Sequence, residues 1–398
     1  MRKIFILLLT FFATVSCSIT LDARKRMVER LNIENAAVQQ YMRESNSTFS
    51  TREGVLAADF FNQQRSFRPD QPVGKLLDFT CITPIAQVQL SVDRRFHNLL
   101  LDVPVPVVAG KGQYLLTNLV PHTHYYYRVK AAGKIVLQGE LITEGQLRMI
   151  AIDKGFNIRD LGGWTGQDGK HIRYGWLYRG GSLGGTDKDG NESTLPEPDQ
   201  QELYRIGIRA HLDLRAPSNK GKYAGESSLH SYSLGRTTLL QSDYNNTMTD
   251  YGAYNQDATV VSDMAWIIQK LKEGKPVYFN CRQGADRTGT IAFVIEGLLG
   301  CYDYPTATGG NQMAMDYELT GFSQANLVDN WRVPSSHRSA VEAYTNRQKL
   351  FRQILDLRSV NGQPLQTVQQ RCYYYLSQSK DVCISSSDLD WFISFMLE

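Results

Sequence analysis

The feature that most constrains the fold is a strand–loop–helix pattern around Cys281. An apolar stretch, Val277–Asn280, leads into a short polar loop with glycine, and a second apolar stretch follows from Thr288. This pattern predicts a buried strand that turns sharply into a helix. Strand-like and helix-like segments alternate from Gln146 to the C-terminus. They favour an α/β domain over residues 146–398, with a mostly parallel central sheet flanked by helices.

The spacing of Cys281 and Arg287 predicts an anion site. Five intervening residues let the loop curl so that backbone N–H groups point inward, beside the positive end of the following helix. The same field stabilises a thiolate, which makes Cys281 a candidate nucleophile near neutral pH. The guanidinium of Arg287 can bond two phosphoryl oxygens at once, and the Thr288 hydroxyl can hydrogen-bond the sulfur. Gly284 suits a sharp turn close to a ligand.

The other loop residues complete a predicted substrate cradle. We expect substrate contacts from Arg282, Gln283, Gly284, Ala285 and Thr288. The alternative is a structural cysteine buried beside an ion-pairing arginine. At ordinary residue frequencies, a chance run of Cys, five residues, Arg, Ser or Thr, and then Gly is rare, which favours the catalytic interpretation.

At these residues the chain resembles the cysteine-dependent protein tyrosine phosphatase superfamily, and more narrowly its bacterial tyrosine/serine phosphatase branch. Further segments match that branch in order and spacing: Phe156–Gly163, Gly175–Gly181, Gly207–Arg215 and Asp316–Thr320. The resemblance implies hydrolysis of phosphotyrosine, and of phosphoserine in some members, through a cysteinyl-phosphate intermediate. It implies a phosphorylated protein or a small phosphomonoester as the substrate.

Two positions depart from the pattern of the branch. His usually precedes the nucleophile, and Asn280 stands there, although its amide can still hydrogen-bond a neighbouring backbone carbonyl. The residue before Asp286 is Lys in many relatives and Ala285 here, whereas Arg282 adds a positive charge elsewhere on the rim. A phosphoinositide or inositol polyphosphate phosphatase therefore stays open as an alternative. A second alternative is a non-catalytic protein that binds phosphorylated ligands at the cell surface.

Two aspartates compete for the role of general acid, the group that protonates the leaving oxygen. Asp286 lies just before Arg287, where the resemblance to the branch offers a candidate. Asp213 ends a predicted parallel strand, where α/β sheets place active-site groups. The structural alternatives are a loop brace for Asp286 and, for Asp213, a carboxylate that pairs with Arg215 or Arg159.

Residues 1–16 have the pattern of a secretory signal. Arg2 and Lys3 precede an apolar run, Ile4–Phe12, that is too short to span a bilayer comfortably, and small residues lead to Cys17. The pattern resembles a bacterial lipoprotein signal. That resemblance implies lipidation at Cys17 and an exported chain in the periplasm or at the cell surface, held to the membrane by the lipid alone. Ordinary cleavage and release is the alternative.

Two parts lie between the signal and the α/β domain. Residues 17–72 are polar with one amphipathic stretch, which predicts a tether with some helix. Residues 73–145 show short alternating segments divided by Pro, Gly and Asn, which predict a small all-β sandwich. The run from Leu119 to Val129 resembles part of a fibronectin type III module, in which the hydroxyl of a tyrosine placed like Tyr125 bonds back to the chain.

Charge and cysteine content limit the function further. The 43 basic and 40 acidic residues leave a formal charge of +3, so no global field draws the chain to nucleic acid or to an anionic membrane, and any anion site must be local. No spacing of His, Cys or carboxylates predicts a metal site, and we expect no organic cofactor. Export implies an oxidising compartment, in which Cys372 and Cys383 are candidates for a disulfide, while Cys81 and Cys301 are expected as buried thiols.

Overall fold

A computed structural model describes most of the chain between residue 28 and the C-terminus. The described residues are 28–49, 71–184, 195–215, 243–246, 257–281, 283–304, 311–322, 349–378 and 382–398. Two residues with predicted roles, Cys17 and Arg282, lie outside these ranges. Lipidation of the first and substrate contact by the second therefore stay predictions.

The N-terminal part consists of short strands whose side chains alternate between buried and exposed, the period expected of half-buried sheets. Its strands are β1 (Glu29–Asn32), β2 (Lys75–Thr80), β3 (Ile85–Ser91), β4 (Leu99–Pro106), β5 (Lys111–Leu116), β6 (His124–Ala131) and β7 (Lys134–Glu144). One sheet has the order β1-β7-β6-β3-β4, and β2 pairs with β5 in another. Apolar side chains from both sheets share one core, which includes Leu77, Val88 and Val129. We call this part the β module.

Tyr125 makes the contact that the sequence predicts for it. Its ring is buried in the β module, and its hydroxyl accepts a hydrogen bond from the backbone N–H of Val120 at 2.9 Å. The bond fixes the chain where it turns into β6, which begins at His124.

Part of the segment predicted as a tether is built into the fold. β1 pairs in parallel with β7 along its whole length, so it is an edge strand of the β module. The helix α1 (Ala36–Phe49) follows, and Ala37, Val38 and Tyr41 pack in the core of the C-terminal domain. The polar composition of residues 17–72 concealed both contacts because so few apolar positions carry them.

The C-terminal part is organised around a second five-stranded sheet. Its strands are β8 (Arg159–Asp160), β9 (Leu177–Gly180), β10 (Ala210–Asp213), β11 (Asp243–Asn246) and β12 (Val277–Asn280). In the order β11-β10-β12-β9-β8, the first four strands pair in parallel and β8 is antiparallel to β9. Phe279 packs in one apolar cluster and Tyr278 in another, so both faces of β12 are covered. Burial on both faces explains why the strand reads as a continuous apolar run.

Helices surround this sheet within the described residues. They are α2 (Glu197–Arg205), α3 (Asp257–Lys272), α4 (Asp286–Leu298), α5 (Gln312–Glu318), α6 (Lys349–Asp356), α7 (Val368–Ser377) and α8 (Ser386–Met396). A hairpin of β13 (Ser359–Val360) and β14 (Gln363–Pro364) precedes α7. α7 begins with a capping box of Thr367 and Gln370, and Ser385 caps α8. Every residue of α4 after Asp286 is buried, which makes α4 the central helix of the domain.

The β module and the C-terminal domain are joined through Asn118. Its side-chain amide donates to the carbonyl of Ala151 at 2.9 Å, and its side-chain oxygen accepts from the N–H of Ala151 at 2.7 Å. The Arg148 guanidinium donates to the carbonyl of Asn118 at 2.9 Å. The end of the β module that carries Asn118 is therefore its proximal end.

The candidate disulfide between Cys372 and Cys383, which the sequence left open, is not formed. Both thiols are free, Cys372 being fully buried and Cys383 exposed. Cys372 lies in α7 against Gly297 of α4, where its sulfur fills the space that a side chain at Gly297 would need. Cys301 is buried as expected, whereas Cys81 is only partly buried. Within the described ranges, no helix has both the length and the apolar character that a membrane crossing requires.

Candidate active site

The turn between β12 and α4 has the shape that the sequence predicts. β12 ends at Asn280, Cys281 follows at the carboxyl edge of the sheet, and α4 begins at Asp286. Arg287 therefore lies in the first turn of α4, and both Cys281 and Arg287 are buried. Because unpaired N–H groups and the positive end of the dipole meet at a helix N-terminus, this turn is suited to an anion. We call residues 281–287 the Cys281 loop.

The surroundings of Cys281 favour its thiolate. Burial raises the pKa of the thiol, but the positive charge of Arg287 and the nearby hydroxyl and backbone N–H of Thr288 act against it. The pKa of Cys281 is lowered below its ordinary value as a result. A larger thiolate fraction at a given pH means a larger fraction of active nucleophile.

Arg287 is held from the neighbouring strand. Its Nη1 donates a hydrogen bond to the carbonyl of Leu214 at 2.9 Å, and Leu214 directly follows β10. β10 and β12 are parallel neighbours in which Asp213 lies beside Asn280. The loops that follow the two strands are therefore linked through this guanidinium.

Gly284 is required by the path of the Cys281 loop. Its φ of +69° lies in the left-handed region, which residues with a side chain rarely adopt. A Cβ at Gly284 would also lie 2.3 Å from the carbonyl carbon of Gly180 and 2.6 Å from the nitrogen of Gly181. The loop therefore rests directly on the backbone that follows β9, and glycines on both sides permit this approach.

Buried ionic groups support the loop from beneath. The Nη2 of Arg179 donates to the carbonyl of Gly284 at 3.0 Å, and its Nη1 pairs with the carboxylate of Asp316. The Nε of Arg159 donates to the same carboxylate at 2.8 Å. Burial disfavours the charge of Asp316, but the two guanidinium groups hold its pKa below the ordinary value. The carbonyl of Gly284 is therefore anchored to an ionised network inside the domain.

Asn157 anchors the neighbouring carbonyl of the loop. Its side-chain amide donates to the carbonyl of Gln283 at 2.9 Å and to the hydroxyl of Thr320 at 3.2 Å. Its side-chain oxygen accepts from Nη1 of Arg159 at 2.5 Å. Two successive loop carbonyls, those of Gln283 and Gly284, thus point away from the anion site, which leaves the amide groups to face it.

Comparison with known proteins agrees with this geometry. The model of the tyrosine phosphatase family matches residues 150–373, which is more than half of the chain. The chain belongs to the tyrosine phosphatase family. A Cupriavidus necator protein named "Putative tyrosine-protein phosphatase" is 26% identical over 168 residues. That match covers 38% of this chain and 58% of the relative, so the chain spans under two thirds of the relative's length.

Asn280, which stands where the bacterial branch of the tyrosine phosphatases usually has His, makes hydrogen bonds with both ends of its side-chain amide. The side-chain amide of Asn280 donates to the carbonyl of Cys281 at 3.1 Å, as expected for an amide replacing His. Its side-chain oxygen lies 2.6 Å from Nε2 of His211, on the neighbouring strand β10. Because that oxygen only accepts, Nε2 of His211 carries the proton. A histidine from another strand thus orients the residue before Cys281.

The two candidate acids have different surroundings. Asp286 is half-buried at the first position of α4, and its Oδ1 accepts a hydrogen bond from the Tyr317 hydroxyl at 2.9 Å. Asp213 is fully buried, and Arg215 donates to both of its oxygens, at 2.9 and 2.8 Å. Asp213 therefore forms the ion pair with Arg215 that the sequence left open as its alternative, and its carboxylate is bound on both oxygens.

The other predicted substrate contacts are placed differently along the loop. Gln283 is partly exposed, whereas Gly284 and Thr288 are buried. Ala285 is fully buried at the residue before α4. Within the described residues, no group of three or more His, Cys, Asp or Glu side chains is arranged to hold a metal ion.

Sequence reasoning missed the residues that hold the loop. Asn157, Arg179 and Tyr317 lie in segments that match the tyrosine phosphatase branch, and that match was the available signal. It did not show which side chains of those segments face the Cys281 loop. His211 had no signal of its own, because its partner Asn280 is the position that departs from the branch.

Proposed function

We propose that this member of the tyrosine phosphatase family hydrolyses phosphotyrosine monoesters, and phosphoserine monoesters as well, through a cysteinyl-phosphate intermediate. The observation that carries the proposal is the position of the buried Cys281 directly after β12, with Arg287 in the first turn of α4, and the lowered pKa of the thiol agrees with it. A thiolate, a planar guanidinium and a ring of backbone N–H groups are the parts that phosphoryl transfer to sulfur requires.

In the first step, the Cys281 thiolate attacks phosphorus and forms the S–P bond. The bond from phosphorus to the ester oxygen breaks, and the leaving oxygen takes a proton from the carboxyl of Asp286. Arg287 and the loop N–H groups bind the three equatorial oxygens, over which charge spreads in the transition state. Thr288 stabilises the sulfur by hydrogen bonding.

In the second step, water attacks the phosphorus of the intermediate. Asp286, now ionised, takes the proton of that water, the S–P bond breaks, and the Cys281 thiolate leaves with inorganic phosphate as the product. The hydrogen bond from Tyr317 supports this role, since it positions the carboxyl of Asp286 at the start of α4, beside the Cys281 loop.

Burial of the nucleophile favours an aromatic ester. Only 3% of Cys281 is exposed, so a substrate must carry its phosphate below the surface to meet the sulfur. The phenyl ring of phosphotyrosine extends the phosphate farther from the peptide backbone than the single methylene of phosphoserine does. We therefore expect phosphotyrosine peptides to be the better substrates.

Turnover of a substrate panel by the full chain tests this proposal. The panel contains a phosphotyrosine peptide, a phosphoserine peptide, a phosphoinositide and an inositol polyphosphate. We expect the highest kcat/KM with phosphotyrosine, and none with the Cys281→Ser variant, whose hydroxyl stays protonated near neutral pH. Binding of vanadate or phosphopeptide by Cys281→Ser shows that the variant is folded.

Three results would count against the proposal. Rapid hydrolysis by Cys281→Ser would contradict the covalent mechanism. Preference for the inositol polyphosphate would move the substrate to that alternative class. Binding of phosphopeptides by the wild type without turnover would indicate a phospho-ligand binding protein.

We also propose that the chain is exported and lipidated at Cys17, and that the β module is of the fibronectin type III kind. The apolar run Ile4–Phe12 ahead of Cys17 supports the first proposal, and the bond between Tyr125 and Val120 supports the second. Partitioning of the wild type into a detergent phase, lost in Cys17→Ala, tests the lipid anchor. A soluble wild type with a free thiol at Cys17 would contradict it.

A further inference from the structure

Three turns meet at the end of the β module that lies opposite Asn118. They are the turns β2–β3, β4–β5 and β6–β7, which contain residues 81–84, 107–110 and 132–133. The register brings them together, because Thr80 lies beside Lys111 and Ile85 beside Pro106. We call residues 80–85, 106–111 and 130–136 the distal tip.

The distal tip exposes large apolar side chains. Ile82 is 103% exposed and Val108 is 75% exposed, so both have little cover from the described residues. Ile85, Ile135 and Val136 are also exposed there. Single exposed apolar residues are common, but several on adjoining turns mark a surface that binds a partner or a membrane.

The charge of the distal tip has one sign. Its residues include Lys111, Lys130 and Lys134, and they include no Asp or Glu. The nearest carboxylate, Asp78, lies two residues before Thr80 and lines the same cavity as Lys111 and Val136, whereas Asp102 lies four residues before Pro106. Exposed apolar side chains on turns that also carry lysines match the headgroup region of an anionic bilayer, where apolar atoms meet acyl chains and ammonium groups meet phosphates.

The direction of β1 also favours a membrane as the partner of the distal tip. β1 runs parallel to β7, with Glu29 beside Leu141, and β7 starts at the distal tip with Lys134. β1 therefore runs in the direction from the tip towards the proximal end, and its first residue, Glu29, is the one nearest the tip. Seven residues of strand separate Lys134 from Leu141, a length of about 23 Å. The eleven residues from Cys17 to Val28 reach up to about 40 Å when extended, so a membrane-held Cys17 is compatible with the tip at the same surface.

We propose that the distal tip rests on the surface of an anionic lipid bilayer, with Ile82 and Val108 inserted at the boundary of headgroups and acyl chains. The lysines bind lipid phosphates around them. The C-terminal domain, attached at the proximal end through Asn118, then faces away from the membrane. The proposal goes beyond a lipid anchor because it assigns a second membrane contact to the folded chain, and it is independent of the proposed catalysis.

Photolabelling from within the bilayer tests the contact. The full chain is bound to vesicles of phosphatidylcholine and phosphatidylglycerol that contain a lipid with a photoreactive acyl chain, and labelled peptides are identified by mass spectrometry. We expect label on peptides that contain Ile82 and Val108. Leu99 and Leu100, 38% and 39% exposed near the other end of β4, serve as the matched control and should stay unlabelled. Label confined to residues 1–27, or equal label at the control pair, would overturn the proposal.

Two double variants test whether labelling depends on the apolar side chains of the distal tip or on any exposed apolar side chain. Ile82→Asp with Val108→Asp should lower labelling of the tip by at least about tenfold, because a charge is costly to insert among acyl chains. Leu99→Asp with Leu100→Asp should leave it unchanged. Both double variants should keep a melting temperature close to that of the wild type, which reports on folding without depending on the proposed catalysis.

Vesicles with and without anionic lipid test whether the lysines of the distal tip contribute to membrane binding. On vesicles of phosphatidylcholine alone, labelling of the tip should fall several-fold, and Lys111→Gln with Lys134→Gln should remove most of the difference between the two vesicle types. A protein partner would behave differently. If the wild type dimerises without lipid, and the Ile82 and Val108 variant abolishes dimers while vesicles label no tip peptide, the tip is a surface for a second copy and the proposal is wrong.

Discussion

Two loops leave the same edge of the central sheet, after β10 and after β12, and each carries an aspartate. Asp213 is fully buried and bound on both oxygens by Arg215, whereas Asp286 is half-buried and bound by a tyrosine hydroxyl. The carboxyl edge of a parallel sheet is where active-site groups gather. Position at this edge therefore does not by itself distinguish a proton-transfer group from a structural carboxylate, and the different partners of the two aspartates are what the variants below test.

Arg287 connects the two loops, and its replacement should have the largest effect on catalysis. Arg287→Lys keeps the positive charge but loses the planar fork that we propose for binding two phosphoryl oxygens, together with the hydrogen bond to the carbonyl of Leu214. We expect kcat/KM for phosphotyrosine to fall by at least about 100-fold. Steady-state kinetics measure the loss, with the melting temperature as the control for folding. A near-normal rate would mean that Arg287 does not contact the phosphoryl group.

The Asp286→Asn variant tests whether Asp286, rather than Asp213, is the general acid. A general acid matters most for poor leaving groups, so we expect phosphotyrosine hydrolysis to fall by about 10²-fold while a highly activated aryl phosphate is much less affected. The ratio of the two rates is the measurement. Tyr317→Phe should change the ratio in the same direction by less, since it removes only the hydroxyl that holds Asp286. Equal loss with both substrates would assign Asp286 to bracing the loop.

Thr288→Ala should have a smaller, pH-dependent effect. The proposed mechanism assigns the Thr288 hydroxyl a hydrogen bond to the thiolate; its removal should raise the pKa of Cys281, so less nucleophile is present near neutral pH. With about 1.5–3 kcal/mol for a hydrogen bond to a charged group, the pKa should rise by about one to two units. The pH dependence of Cys281 alkylation, followed by mass spectrometry, should shift upward by that amount. Thr288→Ser keeps a hydroxyl and should shift less; an unchanged midpoint in Thr288→Ala would contradict the assignment.

Asp213→Asn should have the smallest effect on chemistry and a large one on stability. It leaves the buried guanidinium of Arg215 without its carboxylate, which costs about 3–5 kcal/mol of unfolding free energy. Chemical denaturation measures the loss, and Asp213→Asn with Arg215→Met should recover part of it by removing both charges. If the leaving-group dependence appears here and not in Asp286→Asn, the two aspartates exchange roles.

The Cys281 loop could be predicted from the sequence because its signal is local. A strand, a loop of fixed length and a helix follow one another within Val277–Leu298, so spacing alone gives the geometry. The alternation of the β module is local in the same sense, since each strand shows its own period. Features that depend on a few consecutive residues were therefore predictable.

The support of the loop was not predictable, because its contacts are long-range. Asp316 meets Arg159 across more than 150 residues of chain, and nothing in the spacing of two charges so far apart indicates a pair. For the same reason, the sequence could not show that Arg215, and not Arg159, is the partner of Asp213. Arg159 was an equal candidate by charge, but its guanidinium is bound to Asp316 and Asn157. Burial of α1 and β1 also depends on distant partners.

The anchoring of two loop carbonyls has a consequence for the thermodynamics of ligand binding. Because Asn157 and Arg179 hold the carbonyls of Gln283 and Gly284, the loop has its anion-binding shape before a ligand arrives. Ordering a flexible loop normally makes the entropy of binding less favourable, and here that ordering took place when the chain folded. Calorimetry of phosphate or vanadate binding should therefore show little entropic cost from the loop, and loss of either anchor should appear first as a less favourable entropy.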